Sequence, residues 1–254
     1  MPRRALASVV LALLVLSAGC LGFGGEPDRT DRAEATLEGV EAAIQDVTTY
    51  HAETELDATA VGPEGALSRE ATIVGVVNAT QKRSKMTMRM AGQNRTAYID
   101  NRTAYQECES PWGWANSSIE SEEPWIQTTP LGRHVTLLET GDLRVQTTPA
   151  LTAEGAVALV GTPSTAALEA YRDDNTQPAI GGTRLENVTV RLVVDNRTHR
   201  PLRGSMSFEA AGDGATATVT MATTFSEYDS PIRVSIPASV TEDEFDWTGG
   251  CPGS

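Results

Sequence analysis

Residues 188–208 read VTVRLVVDNRTHRPLRGSMSF. Val188, Val190, Leu192 and Val194 alternate with Thr189 and Arg191, the period of a strand with one buried face. Asp195-Asn196-Arg197-Thr198 supplies turn residues, and Leu202 to Ala210 returns with Met206 and Phe208 in phase. This hairpin sets the class of fold as an antiparallel sheet built by meander. Downstream, Gly212-Asp213-Gly214 turns the chain again, and Ala217, Val219, Met221, Thr223 and Phe225 alternate along the next strand. Ile232 to Ile236 is expected as the last strand.

Upstream, Ala156 to Val160 is a continuous apolar run, expected as a buried strand. Thr162-Pro163 has the residues of a helix start, with Thr as cap and Pro at the first position; Ala167, Leu168 and Tyr171 would form the apolar side. Leu131 to Thr140 reads as a short helix stopped by Gly141, and residues 108–130 read as loop. The first half has its own meander. Ala33, Leu37, Val40, Ile44 and Val47 recur at spacings of four and three, the stripe of an amphipathic helix that Asp31 or Thr30 would cap. From Tyr50 the period becomes two: Tyr50, Ala52, Thr54, Leu56 and Ala58 share a face against His51, Glu53, Glu55 and Asp57. Gly62 to Gly65 turns the chain, Ala71 to Val77 returns, and Met86, Met88 and Met90 oppose Lys85, Thr87 and Arg89. Asp100 to Thr103 then joins two arms of a hairpin, and the same Asp-Asn-Arg-Thr at 195 is expected to make the same turn.

The N-terminus has the layout of an export signal. Arg3 and Arg4 precede an apolar run from Ala5 to Leu16, then the small residues Ser17, Ala18 and Gly19, then Cys20. The run is shorter than the roughly 20 residues that span a bilayer core. Cys20 is the expected lipid attachment site, and the arginine pair suits either general or twin-arginine export. The chain thus divides into a signal at 1–19, a lipidated linker at 20–32, a domain at 33–247 and a tail at 248–254. The expected location is the outer face of the cell membrane.

The net charge of the 254 residues is −14, with only Lys82 and Lys85 as lysines. Residues 1–19 hold two arginines and no acid, so the chain from Cys20 onward carries 18 bases against 34 acids, or −16. High acidity, little Lys and abundant Thr resemble proteins of extreme halophiles, in which salt screens dense carboxylates. The balance excludes nucleic acid as a partner, which needs a basic footprint. With Cys20 lipidated, Cys108 and Cys251 remain as an even pair, expected to form a disulfide in an exported protein. Six Asn-x-Ser/Thr sequons occur, and Asn101 and Asn196, at expected hairpin tips, are the best placed for glycosylation.

Helix, meander, two short helices and a second meander resemble the LolA-like half-barrel of lipoprotein carriers, shared by lipid-carrying lipoproteins of mycobacteria. The stretch 188–208, with its Asp-x-x-Thr turn and Pro201 soon after, carries the resemblance most closely. It covers about residues 31–240 in element order; surface lipoproteins of haloarchaea look similar. The resemblance implies an α+β fold in which a strongly curved antiparallel sheet wraps a few helices around a cavity for acyl chains.

No catalytic constellation stands out. His51, His134 and His199 are far apart, no phosphate-cradling glycine loop or nucleophile elbow occurs, and Glu122-Glu123 and Asp173-Asp174 read as solvated charge. No enzyme activity, cofactor or metal is therefore expected. Met is flexible and suits adaptable apolar surfaces. Met86, Met88, Met90, Met206 and Met221, with Leu192 and Phe208, are the residues expected to line a ligand cavity; ordinary core packing accounts for the same pattern. Trp112, Trp114 and Trp125 fall near Cys108 and would pack around the disulfide or form a lip. Two function classes follow: a membrane-anchored, non-enzymatic carrier of lipid or another apolar ligand, and a cell-envelope interaction module with a solid core.

Overall fold

The computed structural model describes residues 29–63, 65–110, 112–119, 124–174, 184–212, 215–241, 247–248 and 251. The expected signal and Cys20 lie outside the described residues.

Helix α1 (Asp31–Gln45) starts inside the stretch expected as linker. Thr30 caps it, accepting from the Ala33 amide at 3.3 Å, and Asp31 and Glu34 complement the positive end of its dipole. Its stripe Ala33, Leu37, Val40 and Ile44 is buried. Strands β1 (Thr49–Gly62), β2 (Gly65–Asn78), β3 (Arg83–Met90), β4 (Gln93–Asp100), β5 (Thr103–Glu107) and β6 (Trp114–Ser118) form the first meander. A 3-10 turn (Trp125–Thr128) leads into α2 (Pro130–Glu139), followed by β7 (Asp142–Gln146), α3 (Pro149–Ala153), β8 (Ala156–Thr162) and α4 (Thr165–Asp174). Strands β9 (Arg184–Asp195), β10 (Pro201–Gly212) and β11 (Ala215–Ser226) make the second meander, and β12 (Trp247–Thr248) closes the order.

Among the described residues these strands form one twelve-stranded sheet, β12-β6-β5-β4-β3-β2-β1-β11-β10-β9-β8-β7, with β12 and β7 at its two edges. Every pairing is antiparallel except β12 on β6. The expected open antiparallel sheet with few helices is thus what the chain forms. The two meanders join through β1 and β11, paired from His51↔Ser226 to Val61↔Thr216.

One face of the sheet, called inner here, packs on α1, α2 and the 3-10 turn. Tyr50, Val77, Leu159, Leu192, Met206 and Phe225 belong to one cluster with Leu37, Ile44, Leu131 and Val135. Tyr50 is wholly buried; its hydroxyl accepts from the Leu131 amide at 3.3 Å, and burial pushes its phenol pKa up. A satellite core lies on the other face, where Leu151 of α3 meets Ala156, Ala158, Val160 and Val193. Strand β8 is buried on both faces, which explains its unbroken apolar run.

Several local expectations change. Residues 108–130 are not all loop, since β6 and the 3-10 turn lie there. Strand β7 and helix α3, five residues each, are too short to show a period. Thr162 stays in β8, and α4 starts at Thr165 with Ser164 accepting from the Ala167 amide at 3.2 Å. Residues 232–236 form no strand. Pro231 and Pro237 bracket them, and side chains replace the ladder: Asn78 Nδ2 donates to Ile232 O at 2.7 Å, and the Val234 amide donates to Gln81 Oε1 at 3.1 Å. The repeated Asp-Asn-Arg-Thr makes two different turns. Asp100 pairs with Arg83 at 2.9 and 3.0 Å, and Asn101 takes φ +55°. Asp195 instead accepts from the Thr198 and Arg197 amides at 2.7 and 2.9 Å; these bonds, the Thr198 amide first, hold its carboxyl below the usual range.

Candidate ligand-binding face

Strand register brings the seven residues singled out from the sequence onto one face. One rung runs Met90–Ala71–Leu56–Met221–Met206–Val190. The next runs Met88–Ile73–Thr54–Thr223–Gly204–Leu192, and a third runs Met86–Gly75–Ala52–Phe225. Phe208 sits on the rung Phe208–Val219–Ala58–Arg69, on the same face. A side-chain period of two places all of these on the inner side.

Burial then divides them. Leu192, Met206 and Phe208 are 0, 3 and 3% exposed and belong to the sealed core. Met221 is half-buried against that core, and Met86, Met88 and Met90 are half-buried beyond it. With Leu56, Ala58 and Ile73, also half-buried, they form an apolar strip that the core does not fully cover. An acyl chain laid along such a strip gains about 0.8 kcal/mol per methylene buried.

The sequence pattern did not reveal cations on this face. Arg95 lies opposite Met88 and Arg69 opposite Ala58. Arg95 forms an ion pair with Glu109, whereas Arg69 is exposed. Knowing which strand lies beside β3 would have found Arg95; its own strand gives no sign. Two surface depressions have other linings. One, about 390 Å³, sits between Gln93, Arg95, Glu107 and the Cys108 region. The other, about 440 Å³, lies among Arg29, Glu34, Glu38, Glu41 and Glu139. Burial, then the neighbouring Glu38, lifts the Glu41 carboxyl pKa there.

No family model matches the chain, and no curated protein sequence matches it. Solved structures do. The chain is similar to the lipoprotein LppX of Mycobacterium tuberculosis. The identity is 13%, over 81% of this chain and 100% of that one, with a TM-score of 0.46. It is also similar to LprF of Mycobacterium bovis, at 16% identity over 84% of this chain and 99% of that one, with a TM-score of 0.39. A LolA superfamily protein of Nitrosomonas europaea gives 10% identity over 81% of this chain and 94% of that one, with a TM-score of 0.28. No residue role is carried over from them.

The remaining candidates go to separate places. Cys108 and Cys251 are disulfide-bonded, with Cα atoms 5.4 Å apart. The three tryptophans do not form one group. Trp125 packs in the main core and donates to Asn101 O at 2.7 Å, Trp114 stacks near Tyr98 with ring centroids 5.7 Å apart, and Trp112 is 41% exposed. Asn101 and Asn196 are exposed at their turns. Among the described residues no group of His, Cys, Asp or Glu is placed to hold a metal, and no helix is long and apolar enough to cross a membrane.

His134 of α2 is a half-buried histidine whose ring packs inward. Its Nδ1 donates to Pro130 O at 2.9 Å, and its ring meets Phe225 edge-on, with centroids 5.8 Å apart. Gly204 makes room for it: a Cβ there would lie 2.6 Å from Nε2. Burial pushes its pKa below the usual histidine value. Above the unfolded value of about 6.5 the ring is neutral in both states. As pH falls below that value the unfolded chain takes up a proton that the folded ring refuses, so stability falls. The contribution is at most about 1.4 kcal/mol per pH unit, the slope for one proton, between the unfolded and the folded pKa. Urea unfolding of wild type and His134→Leu at pH 5–8 checks this: the variant should lose that part of the slope.

Proposed function

We propose that the chain is an exported lipoprotein, anchored by lipid on Cys20 to the outer face of the membrane, that binds a lipid or similar apolar ligand without catalysis. The observation that carries the reading is the half-buried strip of Met86, Met88, Met90, Met221, Leu56 and Ile73, continuous with the core yet outside its sealed part. The signal-like N-terminus makes lipid the nearest apolar ligand. The high acidity fits work at high salt. Ligand selection rests on length and flexibility of the apolar part.

The second reading, an envelope interaction module with a solid core, is favoured by the complete burial of Leu192, Met206 and Phe208. Two tryptophan substitutions separate the readings. Met88→Trp fills the strip and should lower the lipid recovered per protein, with little change in unfolding midpoint. Met206→Trp overpacks the core and should cost about 1–3 kcal/mol. Native mass spectrometry with lipid extraction on membrane-purified protein reads the first; urea unfolding reads the second. If wild type and Met88→Trp yield no lipid alike, the module reading replaces the carrier. Cys20→Ser tests the anchor: the variant should leave the membrane fraction.

A further inference from the structure

The two faces of the sheet differ in the sign of their charge as well as in polarity. Among the described residues of β1–β4, β10 and β11, every acid faces outward: Glu53, Glu55 and Asp57 of β1, Glu70 of β2, Asp100 of β4 and Glu209 of β10. The inner face of these strands carries two charges, Arg69 and Arg95, and no carboxylate. In a chain of net charge −14 the apolar face is thus the one that lacks acid. Burial accounts for the missing acids but not for the arginines, because it disfavours both signs.

The Met strip has a closed end and an open end. Ser84, next to Met86 on the inner face of β3, is 1% exposed, and its cross-strand partner Val77 is wholly buried. At the other end Gln93, the partner of Met90, and Arg69 are exposed. Met86 to Met90 covers about 13 Å at strand rise. Arg69 stands two residues beyond Ala71, the cross-strand partner of Met90, on the same face. A diagonal neighbour at that offset is about 7–8 Å away, within reach of a long side chain.

The two arginines are not equivalent. Glu109 pairs with Arg95, and Glu107 lines the same depression, so an anion arriving there meets two carboxylates around one cation. Arg69 has no ion pair among the described residues, and its inner-face neighbours Ala58, Ala71 and Leu67 are uncharged. The adjacent Glu70 and its partner Asp57 project from the opposite face.

We propose that the ligand is an anionic amphiphile, with its acyl chain along Met86, Met88 and Met90, its methyl end toward Ser84, and its phosphate or carboxylate head on Arg69. This rests on the lipid-binding reading above and adds a charge criterion to it. The orientation follows from burial. An ionised head at the Ser84 end would lose its water with no cation to replace it. At the Met90 end it keeps water and gains a charge-assisted pair. A neutral head gains nothing comparable from Arg69, so the face sorts ligands by the charge of the head as well as by the chain.

The test presents dodecyl phosphate and dodecanol, each with a diazirine near the chain end, to the full-length protein in phosphatidylcholine vesicles. Molar salt screens charges to about 3 Å, so a preference for the phosphate reports direct contact. The phosphate-to-alcohol labelling ratio should fall about tenfold in Arg69→Gln, with alcohol labelling unchanged, and should be largely kept in Arg69→Lys. Arg89→Gln removes an exposed arginine from the outer face of β3 and should keep the wild-type ratio. The label should map to residues 84–90. A ratio unchanged in Arg69→Gln, or lowered equally in Arg89→Gln, overturns the head assignment, while label on the strip leaves lipid binding standing. Absence of label on the strip from either probe overturns both. Millimolar inorganic phosphate should not compete; competition would assign Arg69 to the free anion and overturn the amphiphile.

Discussion

Cys108→Ala is expected to lower the stability of the domain by about 5 kcal/mol at most, the largest effect of any single substitution considered. The disulfide closes a loop across a sequence separation of 143 residues, and the entropy it removes from the unfolded chain grows with the logarithm of that length. In the folded state it holds the C-terminal segment where Trp247↔Ala115 and Thr248↔Asn116 pair β12 with β6. The variant should therefore also lose protection of the β6 amides. Urea unfolding under oxidising conditions, with Cys251→Ala as a second variant, checks both. The two should match, and a loss under about 1 kcal/mol in each would mean that the cross-link constrains little of the unfolded chain.

Gly132→Ala should cost about 3 kcal/mol or more. A Cβ at this position would lie 2.3 Å from Ile126 O and 2.3 Å from Gln127 Cα, both backbone atoms of the 3-10 turn on which α2 rests. A flexible side chain can yield to such an approach; backbone cannot without shifting the helix. Any shift also disturbs Thr129, which caps α2 and accepts from the Gly132 amide at 3.4 Å, and the Leu131 amide bonded to Tyr50. Gly75→Ala is the control. Its nearest neighbour is Met86 Cγ at 3.4 Å, an ordinary contact with a movable side chain, so its cost should stay under about 1 kcal/mol. Similar losses for both would show that α2 can slide.

The candidate face was legible in part. Phase along each strand placed Met86, Met88 and Met90 together, and Met206 with Phe208, because adjacent residues on a strand must point to opposite sides. Phase does not state depth. Met206 and Met221 are direct cross-strand partners, yet Met206 is sealed in the core and Met221 half-buried. Both lie on one rung, so the difference is set by how far along that rung the buried core extends. Arg95 and Arg69 were invisible for a related reason: each looks like ordinary strand polarity until its neighbour is known.

The sequence by itself determined the local elements: two meanders of period-two strands, the amphipathic stripe of α1, the tight turns, and the pairing of Cys108 with Cys251. These depend on residues a few places apart, or on a choice with one solution. Only the tertiary structure decided that β1 pairs with β11, making one sheet from two meanders. It also decided that Asp-Asn-Arg-Thr turns differently at 100 and 195, and that Met86, Met88, Met90 and Met221 stay outside the sealed core. Identical residues took different roles because Asp100 faces Arg83 across a strand pair, whereas Asp195 accepts from the amides and the Thr198 hydroxyl of its own turn. A partner more than 150 residues away in sequence, as for His51 and Ser226, is chosen by the whole sheet's burial and hydrogen bonding, which no local pattern encodes.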